Sequence, residues 1–181
     1  METERQLLDA ILGGDGKAMR RLYDRFSGYT MAIALRYVPD RDDARDVLQD
    51  SFVKILTSIQ TFDYRGEGSL KNWVARIVAN RAIDWIKEHE RVTMISQIPE
   101  ETTDEGVPDV DEVPPDILDQ MIGRLPAGCR MVLNLYVFGQ LSHKDIAQRL
   151  GIKEHSSASQ FFHAKKLLKE MISDYLNSQK R

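Results

Sequence analysis

A single cysteine, Cys129, excludes an internal disulfide framework and suits a reducing compartment. Long hydrophobic runs are missing as well. No apolar stretch approaches the roughly 20 residues that span a bilayer, and the acidic, polar start METERQLLDA lacks the pattern of a secretory signal. A cytoplasmic location is therefore expected. The few histidines, His89, His143, His155 and His163, have neither paired cysteines nor i, i+4 histidine partners. They read as surface or packing residues, and neither a metal nor a cofactor is expected. Strand-type alternation and internal repeats are absent too, which leaves helix as the element to look for.

Charge of one sign is missing from one stretch only. Residues 1–91 hold 15 Lys+Arg and 15 Asp+Glu, residues 92–116 hold no Lys+Arg and 8 Asp+Glu, and residues 117–181 hold 10 and 5. The net charge of −3 thus hides a neutral first part, an acidic middle and a basic end. A basic helical module beside an acidic tether fits a nucleic-acid binder.

The acidic stretch SQIPEETTDEGVPDVDEVPP carries four of the six prolines and no sustained apolar period. It reads as a flexible linker over 92–115. The expected architecture is all-α: two small helical domains, 1–91 and 116–181, joined by this linker, the second ending in a helix-turn-helix. In the first, the pattern predicts helices over Glu4 to Leu12, about Lys17 to Val38, and Asp40 to about Ile59, then one capped by Ser69 after the loop TFDYRGEG. In the second, a helix over Asp116 to Arg124 precedes one opened by Pro126 and ended by Gly139.

LSHKDIAQRLGIKEHSSASQFFHAKKLLK has the form of a short helix, a glycine turn and a longer helix, the shape that places one helix in the major groove of DNA. Ser142 and Asp145 make a capping box, and Ile146, Ala147 and Leu150 share a face. Gly151 ends the first helix. In the second, from about Ser156, Phe161, Ala164, Leu167, Leu168 and Met171 point inward. The outer face is expected to carry Ser156, Ser159, Gln160, His163, Lys165, Lys166 and Lys169, hydroxyls and an amide for base edges with lysines for phosphates. The same pattern also serves as a plain packing motif.

Two further clusters discriminate. Asp42, Asp43, Asp46 and Asp50 lie on adjacent turns of one helix. With no histidine or glycine-rich loop nearby they suit a basic protein partner better than catalysis, and Asp46, Gln49 and Asp50 form a polar stripe beside an expected exposed edge of Phe52. The loop from Thr61 to Gly68 and the helix after it combine Phe62, Tyr64 and Trp73 with Arg65, Lys71, Arg76 and Arg81, aromatic faces and cations that unstacked bases need. Trp73 falls on the apolar side and reads rather as core. Phe62 fits core and base platform equally, and Asn80 on the polar face suits a base edge.

In this order the parts resemble the bacterial RNA polymerase sigma factors of the sigma-70 family, extracytoplasmic function group. AMRRLYDRFSGYTMAIALRYVPDRDDARDVLQDSFVKIL resembles the family's first conserved helices, including the segment that grips the polymerase clamp, FDYRGEGSLKNWVARIVANRAIDWIKEHER the part that melts and reads the minus-ten element, and IGRLPAGCRMVLNLYVFGQLSHKDIAQRLGI with the following helix the minus-thirty-five reader. The resemblance implies a non-catalytic initiation subunit whose partners are core RNA polymerase, promoter DNA and an anti-sigma factor. It implies polymerase contacts at Asp46, Gln49, Asp50 and Phe52, with Leu56 and Arg45 as additions. It implies minus-ten contacts at Phe62, Tyr64, Arg65, Ser69, Arg76, Asn80 and Arg81, and minus-thirty-five contacts at Ser156, Ser157, Ser159, Gln160, His163 and Lys165. The chain departs from the family where Ala158 and His163 stand in place of arginine or lysine and His155 in place of glycine.

Two rivals remain at this level. A conventional regulator would pair the helix-turn-helix with a ligand-sensing or dimerising N-terminal domain. A helical nucleotide hydrolase would use the carboxylates from Asp42 to Asp50 with a divalent metal.

Overall fold

The computed structural model describes residues 2–92 and 110–179, and among these it contains helices and turns but no strand. The chain divides into two compact units, Met1–Glu88 and His89–Arg181. The linker reading falls largely on 93–109, outside the described residues.

The first unit is built from α1 (Glu4–Leu12), α2 (Gly16–Tyr37), α3 (Arg41–Ser58) and α4 (Ser69–His89). Thr3 opens α1 through a complete capping box with Gln6. Asp15 caps α2, accepting from the Lys17 N–H at 2.9 Å, and Asp40 caps α3, accepting from the Asp42 and Asp43 N–H groups at 2.9 and 3.0 Å. Asp15 is held below the usual carboxylate range by the Lys17 N–H, with the Arg21 side chain beside it. The apolar stripes meet in a core of Leu7, Leu22, Ile55, Leu70 and Ile86, all shut off from solvent. α2 packs against both α1 and α3.

Ser69 does not cap α4 as its sequence position suggests. Its hydroxyl donates to the Gly66 carbonyl at 2.6 Å and accepts from the Arg65 N–H at 3.2 Å, closing the loop instead. The α4 N-terminus is capped from far away by Glu4, whose carboxylate accepts from the N–H groups of Gly68, Leu70 and Lys71 at 2.8, 3.0 and 3.1 Å. The charged carboxylate accepts from three N–H groups at once, more than one neutral hydroxyl can, so the long-range cap wins.

The second unit comprises α5 (Pro115–Gly123), α6 (Ala127–Leu133), α7 (His143–Leu150) and α8 (Glu154–Gln179). α8 packs on α5, α6 and α7, burying Ile122, Leu125, Cys129, Leu133 and Ala164 in one cluster. Val113, inside the stretch read as linker, is buried with Met121 and Ile172. The packed unit therefore begins before Asp116. One buried valine contributes about 1.5–3 kcal/mol, enough to hold a short N-terminal extension down.

α6 also departs from the regular helix expected to reach Gly139. From Asn134 to Phe138 the backbone widens into a π turn, closed by the Gly139 N–H donating to the Asn134 carbonyl at 3.0 Å. A Cβ at Gly139 would lie 2.6 Å from the Leu135 carbonyl oxygen, so only glycine fits. The turn leaves Val137 and Phe138 about half exposed and swings the Tyr136 ring onto His143.

Candidate functional site

On α3, Asp46, Gln49 and Asp50 are exposed on one side, with Arg45 and Lys54. Their carboxylates do not converge: Asp42 pairs with Arg45 at 2.8 Å and Asp50 with Arg81 at 3.0 Å. Among the described residues no three His, Cys, Asp or Glu side chains could hold a metal.

Phe52 is not the exposed anchor expected of it. It is 5% exposed, and its ring lies 4.7 Å from that of Tyr23 at 56°. The period of α3 turns Phe52 into the α2–α3 seam, where the larger buried area of a ring is better used. Tyr23, 45% exposed, carries the aromatic surface there, with Leu56 half-buried nearby on α3. The missed signal was the i, i+4 spacing of Met19 and Tyr23, both exposed on α2.

The loop from Thr61 to Gly68 holds its aromatics in a defined arrangement. Phe62 and Trp73 are half-buried with centroids 5.0 Å apart at 41°, so Trp73 serves as the wall behind Phe62. The Arg5 guanidinium sits 5.4 Å from the Tyr64 ring, and the Tyr64 hydroxyl donates to Glu67 at 3.4 Å. Desolvation, then the Glu67 charge, pushes the Tyr64 hydroxyl above its ordinary value, so it remains a donor at neutral pH. Gly66 and Gly68 adopt φ of 112° and 90°, conformations that L side chains avoid, and so set the turn. Arg65 is exposed and pairs with Asp63 at 3.1 Å. Arg76 and Asn80 are exposed along the outer face of α4.

Arg81, expected among the DNA-facing cations, is half-buried and engaged within the domain. Its guanidinium is shared between Asp50 at 3.0 Å and Glu88 at 3.3 Å, linking α4 to α3.

α8, expected to present its early polar residues to DNA, departs most from expectation. Ser156, Ser157, Ser159 and Gln160 are all buried. Ser157 and Gln160 lie on the same side of the helix as Phe161 and Ala164, since a 3.6-residue period brings 157, 160, 161 and 164 together. The Ser157 hydroxyl meets His143 Nδ1 at 2.9 Å, and Gln160 Oε1 accepts from the Cys129 thiol at 3.2 Å. Ser159 bonds back to the His155 carbonyl at 2.8 Å, the short local bond a helical serine makes. His155, Lys165 and Lys166 are exposed, and His163 is half-exposed. His143, stacked on Tyr136 at 4.6 Å, is held below its ordinary value of 6.5 by burial, with Glu154 opposing. Burial alone pushes the Cys129 thiol up to about 11. Ser142 caps α7 as expected, accepting from the Asp145 N–H at 3.1 Å, while Asp145 answers the Ser142 hydroxyl at 2.6 Å.

Two segments match family models, Sigma-70 region 2 over residues 22–92 and Sigma-70, region 4 over residues 116–168. The chain belongs to the sigma-70 family, in its extracytoplasmic function group. The factor is 28% identical to the ECF RNA polymerase sigma-E factor of Haemophilus influenzae, covering 94% of this chain and 95% of that one. It is 25% identical to the RNA polymerase sigma-H factor of Pseudomonas aeruginosa, covering 97% and 96%. Its fold is similar to that of the sigma factor RpoE solved with the anti-sigma factor NepR from Bartonella quintana. That match has a TM-score of 0.52 at 18% identity and covers 87% of this chain and 98% of the other. CnrH, solved with the cytosolic domain of CnrY, aligns with a TM-score of 0.51 at 22% identity, covering 94% and 97%. The factor's α3, the aromatic loop and α4 all lie within region 2, and α7 and most of α8 within region 4. No helix of the described residues is long and apolar enough to cross a membrane.

Proposed function

We propose that this sigma factor works in the cytoplasm without chemistry of its own, binding core RNA polymerase through region 2 and reading the minus-ten and minus-thirty-five elements with regions 2 and 4. The observation that carries the reading is the presence of both regions in one chain, with an acidic exposed face on α3 and an aromatic, cationic loop before α4. Asp46, Gln49 and Asp50, with Leu56 and Tyr23, form the polymerase-contacting face. Phe62 and Tyr64 offer ring faces to an unstacked base, while Arg65, Arg76 and Asn80 hold its flank and Ser69 keeps the turn closed beneath them. Capture of one base on such a ring stabilises the opened strand by about 1–3 kcal/mol, the scale of the stacking it replaces. Lys165 and His163 meet the upstream element, mainly at phosphates. An anti-sigma factor holds the protein inactive, in keeping with its likeness to a sigma factor solved in such a complex.

Reconstituted transcription tests the reading. Purified core polymerase with this protein initiates at a promoter that core alone ignores. Failure of initiation and of core binding, with the protein folded by circular dichroism, refutes it.

A further inference from the structure

We infer that Glu4, on the first turn of α1, is a positioning residue for the loop that holds a promoter base. The inference rests on that role of the loop as proposed above and adds what sets its shape. Glu4 is 2% exposed, and its carboxylate accepts from the Gly68, Leu70 and Lys71 N–H groups across more than sixty residues of sequence. The exchange is reciprocal. Glu67, on the loop itself, accepts from the Glu4 N–H with its two oxygens at 3.2 and 3.1 Å. Arg25 binds both sides, donating to Glu67 at 3.3 Å and to the Glu2 carbonyl at 2.8 Å.

The loop's own hydrogen bonds, Tyr64 to Glu67, Arg65 to Asp63 and Ser69 to Gly66, stay within the turn. Gly66 and Gly68 sit in left-handed conformations, and the Ser69 hydroxyl is spent inside the turn. The junction between loop and α4 is therefore pinned from outside, by a buried carboxylate at a helix N-terminus where negative charge is favoured. The Leu70 N–H is buried with this carboxylate, so losing that bond leaves a buried donor unsatisfied, while the Gly68 and Lys71 N–H groups lie in part-buried contacts and lose a charge-assisted bond. Phe62 and Tyr64, a few residues before this junction, take their positions from it. α1 lies before the residues matched to region 2, yet it acts as part of the base-holding apparatus.

The test uses full-length protein assembled with core polymerase and compares Glu4→Gln, Glu4→Ala and Phe62→Ala. Three quantities are read: affinity for core, affinity of the holoenzyme for a single-stranded minus-ten oligonucleotide, and exchange of the Gly68, Leu70 and Lys71 amides. Both Glu4 variants are expected to lower oligonucleotide affinity about tenfold, the scale of one lost charge-assisted bond, and to speed amide exchange. Core affinity stays within about twofold. If Phe62→Ala weakens the oligonucleotide and Glu4→Gln does not, the positioning role is overturned while the base-holding loop stands. If core and oligonucleotide affinity fall together, Glu4 is a general stabiliser and the inference is likewise overturned. If Phe62→Ala also leaves the oligonucleotide bound, the base-holding reading fails and the inference falls with it. Should Glu4→Ala not fold, the isosteric Glu4→Gln decides alone.

Discussion

Arg81 Nε lies 3.0 Å from Asp50 Oδ2, so a cation expected on DNA and a carboxylate expected on polymerase are in fact partners. The Asp50 side chain is 57% exposed, and such a pair contributes about 0–1 kcal/mol to stability. Asp50→Asn should therefore leave the urea midpoint nearly unchanged while weakening core binding several-fold in a fluorescence titration. Unchanged core affinity would remove Asp50 from the polymerase face.

Tyr23 and Phe52 should separate cleanly. Phe52→Ala opens a cavity between α2 and α3 and is expected to cost about 3–5 kcal/mol in chemical denaturation. Tyr23→Ala removes a half-exposed ring and the aromatic pair, costing about 1 kcal/mol, but should lower core affinity. Retention of full affinity in Tyr23→Ala would show that the α2 surface is not engaged.

Gln160 gives a test with an unusual sign. Its Nε2 is buried without a hydrogen-bond partner. Gln160→Leu removes that orphan amide together with the thiol contact and should change stability by less than about 1 kcal/mol or raise it. Promoter affinity measured by gel shift with holoenzyme should not move. A loss of minus-thirty-five discrimination would restore Gln160 as a base reader.

His143 predicts a pH dependence. Its folded pKa is depressed below 6.5, chiefly by burial, so the unfolded chain binds the proton more readily than the folded one. Stability is then fully present above about 6.5 and declines as pH falls through that value toward the lower folded pKa. Denaturation of wild type and His143→Gln between pH 7.5 and 5, ranges set by the ordinary histidine pKa of about 6.5, should show a steeper decline in wild type. Parallel curves would assign the acid sensitivity elsewhere.

Lys165 is exposed and 5.4 Å from the Phe161 ring. As a phosphate contact, Lys165→Ala should lower DNA affinity and reduce the slope of log K against log salt by about one. The slope is measured with holoenzyme on a promoter fragment, and an unchanged slope argues against the phosphate role.

Helix placement was legible in the chain because caps and periods are local. Asp15, Asp40 and Ser142 announce their helices within a few residues, and the stripe from Ala44 to Ile55 shows its buried side without any partner in view. The order of the parts also carried the family. Burial of individual polar residues was not legible. Ser157 and Gln160 look like exposed readers until α6 and α7 supply Cys129 and His143 as partners.

By itself the sequence determined the helices, the caps of α2, α3 and α7, the acidic break and the family, since each depends on residues adjacent in the chain or on their order. Only the tertiary structure decided which side chains remain for a partner. Glu4 joins the loop across more than sixty residues, Arg81 pairs with Asp50, and Phe52 yields its surface to Tyr23. These choices depend on the phase of one helix against another and on the strong penalty for burying an unpaired polar group, quantities that exist only once the helices are packed.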